Sequence, residues 1–192
     1  MRNKKLLLML EIAIFGAVAY VLDFIAFSMP QGGSVSLVMI PIILMAFRRG
    51  IGAGLLTGLA VGLLQIVTGR VFIVPLSFGF AFTQVTLDYL VAFASVGFAG
   101  MMRSTYLKNL RSGSKGKAVS SIVAGAFIGA FLRYIVHVIV GVWFFSEFAT
   151  GNVYLYSFVY NATYMAPAFL LTAFVCSILF IAAPRLVDVR EQ

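Results

Sequence analysis

Five ionisable side chains lie within or at the ends of long apolar runs: Glu11, Asp23, Asp88, Arg133 and His137, the last being the chain's only histidine. A charged group at bilayer depth costs a few kcal/mol, so it should face a protein interior and serve a purpose. Glu11 and Asp23 fall near the two ends of the first apolar run and read as interfacial. In "FTQVTLDYLVAF", Gln84 precedes Asp88 by one helical turn and is expected to share its face, with Tyr89 alongside. In "FLRYIVHVIVGVWFF", Arg133, His137, Gly141 and Phe145 recur every fourth residue, a slowly drifting helical face. In "NVYLYSFVYNATYMAP", Tyr156 and Asn161 are bracketed by Tyr154, Tyr160 and Tyr164. A carboxylate, an imidazole, a carboxamide and several aromatic faces at one depth suit a small, flat, cationic or heteroaromatic guest. Each ring facing a cation contributes about 0.5–2 kcal/mol, and a carboxamide offers paired donor and acceptor groups to ring nitrogens. Simpler readings stand beside this one. Arg133 and Asp88 can form a buried ion pair that only locks helix packing, and the tyrosines can form an interfacial belt. Asn161-Ala162-Thr163 matches a glycosylation acceptor but lies at span depth.

These groups need elements to hold them, and composition says of what kind. Of 192 residues, 62% are hydrophobic and only 10% charged, and the mean hydropathy is +1.06. Soluble domains carry about a quarter charged residues, so an all-α polytopic membrane protein is expected, as one integral membrane domain over residues 1–192. Apolar runs place six spans near 6–28, 35–48, 51–68, 77–102, 118–146 and 157–184. The third, "IGAGLLTGLAVGLLQIV", spaces Gly54 and Gly58 for close helix contact. With six spans, 12 of the 14 Lys and Arg fall on one side; only Arg70 lies opposite, and Arg133 lies inside a span. The positive-inside rule then puts both termini in the cytoplasm, and the polar groups in the outer half of the bundle.

Several function classes drop out. The net charge of +8 is spread between apolar runs rather than gathered in a patch, which disfavours nucleic acid. One His and one Cys, Cys176, supply neither a transition-metal ligand set nor an intrachain disulfide. "GSKGK", Gly113 to Lys117, lacks the spacing of a phosphate-binding loop, so no ATP hydrolysis is expected by that route. The basic N-terminus precedes an apolar run too long for a signal peptide and reads as a retained span.

Six spans, a short basic chain, no ATPase motif and an outward-facing polar pocket resemble the S components, the substrate-binding subunits of energy-coupling factor (ECF) vitamin transporters. The likeness is nearest to the thiamine-specific S components. It runs through "EIAIFGAVAYVL", "GGSVSLVMIPIILMAFRRG", "QVTLDYLVAF", "RYIVHVIVGVWFFSEFA" and "YSFVYNA". The resemblance implies that Asp88 binds the aminopyrimidine and thiazolium moieties of thiamine, with Tyr89 beside it, and that His137 packs against the rings. It implies that Tyr156, Ser157 and Asn161 wall the pyrimidine. Phe145 stands where a stacking tryptophan is expected, with Trp143 two residues earlier, and Ser36 stands where some members carry a glutamate. Gln84 and Gly141 complete the candidate substrate-binding set. Phe72, in a segment longer than in the member compared, receives no role. As partners the resemblance implies a transmembrane coupling subunit, docked through Ala13 and Ala17, and two ATP-binding subunits. No cofactor is expected beyond thiamine as transported ligand. A related vitamin or a thiamine precursor is the alternative cargo. A stand-alone proton-coupled carrier is a further reading, without the repeats such carriers often show. An intramembrane enzyme using His137 and Asp88 lacks a nucleophile or metal motif.

Overall fold

The computed structural model describes residues 3–30, 32–75 and 77–188. Arg2 and Arg190, both counted on the basic side above, lie outside the described residues. The chain is predominantly helical. Helix α1 spans Lys4–Leu22 and is capped by Asn3, whose side chain accepts from the Leu6 amide at 3.3 Å. It stops well short of residue 28, because Phe27–Ser28 (β1) pairs antiparallel with Ser34–Val35 (β2) in a small hairpin. Its turn carries Gly32 and Gly33 at positive φ. Apart from that short hairpin the regular structure of the described residues is helical, in keeping with the all-α expectation. The start of the second expected span falls at this strand, and helix α2 begins only at Met39.

Helix α2, Met39–Arg49, has every residue from Met39 to Phe47 buried. A helix apolar all round belongs in an interior, and at 11 residues it is about 16 Å long. Helix α3 spans Ile51–Val67. Helix α4 spans Phe78–Arg111, longer than the expected 77–102 because the basic segment beyond Met102 continues as helix. Within it Thr86–Val91 is a π-helical turn and Val96–Met102 a 3₁₀ stretch. Helix α5 covers Lys115–Phe144, and α6 covers Val153–Ala182 with Asn152 accepting from the Leu155 amide at 3.0 Å. Among the described residues, α1, α4, α5 and α6 are long and apolar enough to cross a membrane, and α3 is a shorter apolar helix.

Helix α3 is pressed against α4 along its glycines. A Cβ at Gly58 would overlap the Phe93 carbonyl, and one at Gly62 would overlap the Tyr89 carbonyl. Backbone therefore meets backbone, and this contact seats the π turn that carries Asp88 and Tyr89. Helix α1 has two small-residue faces. Gly16 and Ala19 are buried, with Gly16 so close to α3 that an added Cβ would stand 3.2 Å from Ala60. Ala13 and Ala17 lie on the exposed face.

Near the chain ends, Glu11 accepts from Arg48 at 2.9 Å and from Arg49 at 2.6 Å, while Arg48 also donates to the Leu186 carbonyl at 2.7 Å. The aromatic core of Phe47, Tyr106 and Phe180 has ring centroids 5.5–6.1 Å apart.

Candidate functional site

A cavity of about 380 Å³ opens where the C-terminal ends of α1, α3 and α5 meet the first halves of α4 and α6. That volume is in the range of small-molecule sites, roughly 300–1,000 Å³. Its wall includes Asp88, Tyr89, His137, Gly141, Phe145, Tyr156, Ser157 and Asn161. Asp88, His137, Asn161 and the tyrosines were expected at one depth, Ser157 was implied by the resemblance, and all eight residues share one hollow.

The acidic corner is a chain of three groups. His137 Nδ1 lies 2.9 Å from Asp88 Oδ1, and Arg133 Nε donates to His137 Nε2 at 3.2 Å. A guanidinium can only donate, so Nε2 accepts, and the imidazole proton sits on Nδ1 and is given to Asp88. The Arg133 guanidinium also stands 4.1 Å above the Phe93 ring. Among the described residues Arg133 makes no ion pair with Asp88 itself. The imidazole stands between them.

Helix α6 supplies the polar wall. Ser157 Oγ donates to the Val138 carbonyl at 2.9 Å, Asn161 Nδ2 donates to the Ser157 carbonyl at 2.9 Å, and the Tyr164 hydroxyl donates to Asn161 Oδ1. Both ends of the carboxamide are thereby oriented. This wall approaches α5 only because residue 141 is glycine: a Cβ there would overlap Ser157 Oγ and stand 3.2 Å from Asn161 Nδ2. Gly141→Ala is expected to raise the ligand dissociation constant about 10-fold or more, as overpacking typically costs 1–3 kcal/mol. Thermal unfolding measured beside ligand titration would separate the lost site from a lost fold.

Of the tyrosines read as a possible belt, Tyr156, Tyr160 and Tyr164 line the cavity, whereas Tyr154 is exposed. Tyr156 and Tyr160 stack at 5.9 Å, and the Tyr160 hydroxyl reaches over to the Gly32 carbonyl at 2.9 Å, tying the hairpin to α6. Between the two aromatics left open by the sequence, Phe145 lines the cavity and stacks on Phe72 at 5.9 Å. Trp143 is 64% exposed and points away.

Two more candidates stand behind the wall. Ser36 is buried and donates to Asp23 Oδ1 at 3.0 Å. Gln84 is fully buried but turned from the cavity. Its amide donates to the Phe72 carbonyl at 2.9 Å and accepts from the Val74 amide at 3.1 Å. The face expected to join Gln84 with Asp88 is broken by the π turn, which takes more residues per turn than an α-helix.

Some of the lining was not anticipated. Asp23, read as interfacial, is buried in the cavity wall; its carboxylate accepts from Gln65 Nε2 at 2.8 Å and lies 3.5 Å from the Arg70 guanidinium. Arg70 in turn covers the Phe24 ring at 4.1 Å. The available signal was Arg70 itself, the lone basic residue on its side of the six-span arrangement, which calls for a nearby acid.

Known proteins share this architecture. A solved structure of ThiT from Listeria monocytogenes superposes with a TM-score of 0.87 at 34% identity, covering 96% of this chain and 99% of that one. The solved S component of a bacterial ECF transporter, 20% identical with a TM-score of 0.57 over 95% of each chain, shares the fold. The thiamine transporter ThiT of Bacillus subtilis is 48% identical over 191 residues, 96% of each chain. That of Lacticaseibacillus paracasei is 32% identical over 201 residues, 99% of this chain and 94% of its own. With residues 9–188 matching it from the first helix to beyond the last, the chain belongs to the thiamine transporter protein (Thia_YuaJ) family.

Proposed function

We propose that this protein is the thiamine-binding S component of an ECF transporter, a binding subunit and not an enzyme. It holds the vitamin in the cavity between α4, α5 and α6 and delivers it with an ATP-driven module. The observation that carries this reading is the convergence of the Asp88 carboxylate, the His137 imidazole and the Phe145 and Tyr164 rings on one 380 Å³ hollow. A cationic thiazolium finds a counter-charge in Asp88, and a flat aminopyrimidine finds ring faces and the carboxamide of Asn161. Tyr89, Gly141, Tyr156 and Ser157 close the same wall, Gln84 and Ser36 support it from behind, and Trp143 stays outside the site.

In this reading the chain crosses the bacterial cell membrane six times, with α2 prolonged by residues 34–38 and both termini in the cytoplasm. The Glu11–Arg48–Arg49 cluster then lies inward and the cavity faces out. A coupling subunit docks on the exposed Ala13 and Ala17 face, and two ATP-binding subunits supply energy. The direct test is calorimetric titration of purified protein with thiamine, in competition with riboflavin and hydroxymethylpyrimidine. One-to-one binding with a dissociation constant below about 1 μM, roughly 8 kcal/mol, is expected. Preference for a competitor, or no binding in that range, would overturn the assignment.

A further inference from the structure

The loop from α3 to α4 has no regular secondary structure over residues 70–74, yet Phe72 is fixed at both backbone groups. Its amide donates to the Tyr89 hydroxyl at 2.7 Å, and its carbonyl accepts from Gln84 at 2.9 Å. One residue pair further, Val74 is buried and its amide donates to the other end of the same Gln84 side chain at 3.1 Å. A loop lacking a ladder must satisfy its polar groups elsewhere, and here a fully buried glutamine of α4 does so. The result is directional: the Phe72 ring enters the cavity wall and lies nearly parallel to Phe145, at 25° and 5.9 Å between centroids. Two rings that enclose a third must stand about 7 Å apart, twice the carbon contact distance of roughly 3.5 Å. The Phe72 and Phe145 rings stack on each other, so a planar guest enters between them by parting the pair.

We infer that Phe72 is the second face of an aromatic clamp, closing on a planar heteroaromatic cation opposite Phe145. Gln84 is the positioning residue that aims it, without touching the ligand. The inference rests on the cavity being the thiamine site, and it goes beyond that site by assigning the opposing ring and its support.

A mutant cycle tests it. Full-length Phe72→Ala, Gln84→Met and the double variant are titrated with thiamine beside the unaltered protein. Phe72→Ala should weaken binding on the order of 10-fold, and Phe72→Tyr should restore it. Gln84→Met should weaken binding by several-fold, chiefly through faster dissociation. Because Gln84 acts through Phe72, the double variant should bind no more weakly than Phe72→Ala alone. Losses that multiply would overturn the positioning role, and unchanged affinity in Phe72→Ala would overturn the clamp. A second measurement covers a Gln84→Met chain that fails to fold. In a Trp143→Phe background, which removes the chain's only tryptophan, Phe72→Trp places an indole at the clamp. Saturating thiamine should quench its emission strongly, and emission that ignores bound thiamine would overturn the proposal. Should the unaltered protein itself fail to bind thiamine, the assignment of the cavity falls; with that binding intact, a multiplicative cycle removes only the positioning role of Gln84, and unchanged affinity in Phe72→Ala removes the clamp.

Discussion

Asp88→Asn is expected to raise the dissociation constant for thiamine about 10- to 100-fold, since a hydrogen bond or contact to a charged group is worth roughly 1.5–3 kcal/mol. The substitution is nearly isosteric. Asparagine keeps an oxygen that can accept the His137 Nδ1 proton, now 2.9 Å from the carboxylate, so the three-group chain to Arg133 survives. What disappears is the counter-charge. The loss should therefore be large for cationic thiamine and small for neutral hydroxymethylpyrimidine, which separates charge pairing from general damage. Equal losses for both ligands, or normal thiamine binding, would remove Asp88 from its assigned role.

Thiamine uptake is expected to fall by on the order of 10-fold or more when Ala13 and Ala17 are both replaced by leucine, while purified protein binds thiamine as before. The two alanines lie on the exposed face of α1, whereas its other small residues, Gly16 and Ala19, are already used against the bundle. Leucines on the free face leave the internal packing alone but hold any partner helix away. Overpacking at a close helix contact costs about 1–3 kcal/mol. Uptake in cells carrying the coupling subunits, compared with binding by the isolated protein, gives the two readouts. Unimpaired uptake would place the docking surface elsewhere, and impaired binding would show that the face serves the fold.

The residues that proved legible in the sequence were those for which one helix's environment is informative. Asp88, His137 and Asn161 are conspicuous because a polar group inside an apolar run has few inexpensive explanations, and helical periodicity put each on a definite face. Gln84 was misplaced because the π turn at Thr86–Val91 rotates the face by an amount no apolar pattern records. Arg70 and Phe72 received no role, and Asp23 only an interfacial one, for a different reason. They belong to connections whose positions are set by long-range contacts, such as Tyr160 to Gly32 and Gln84 to Phe72, and not by local periodicity. Helix α2 was started too early because its flank, "SVSLV", is as apolar as the helix, and a segment buried on every side has no polar stripe to mark where it begins.

The acid–imidazole–guanidinium chain also sets an electrical ledger for the hollow. With the imidazole neutral, Asp88 offsets Arg133, and Asp23 offsets Arg70 beside it, so the charges of the cavity wall balance. A monovalent organic cation tips the occupied chamber to a single positive excess. A cell interior held negative would attract that excess by about 2.3 kcal/mol per 100 mV for a full crossing. In the proposed transport reading, the membrane voltage would therefore favour inward passage of a cationic cargo.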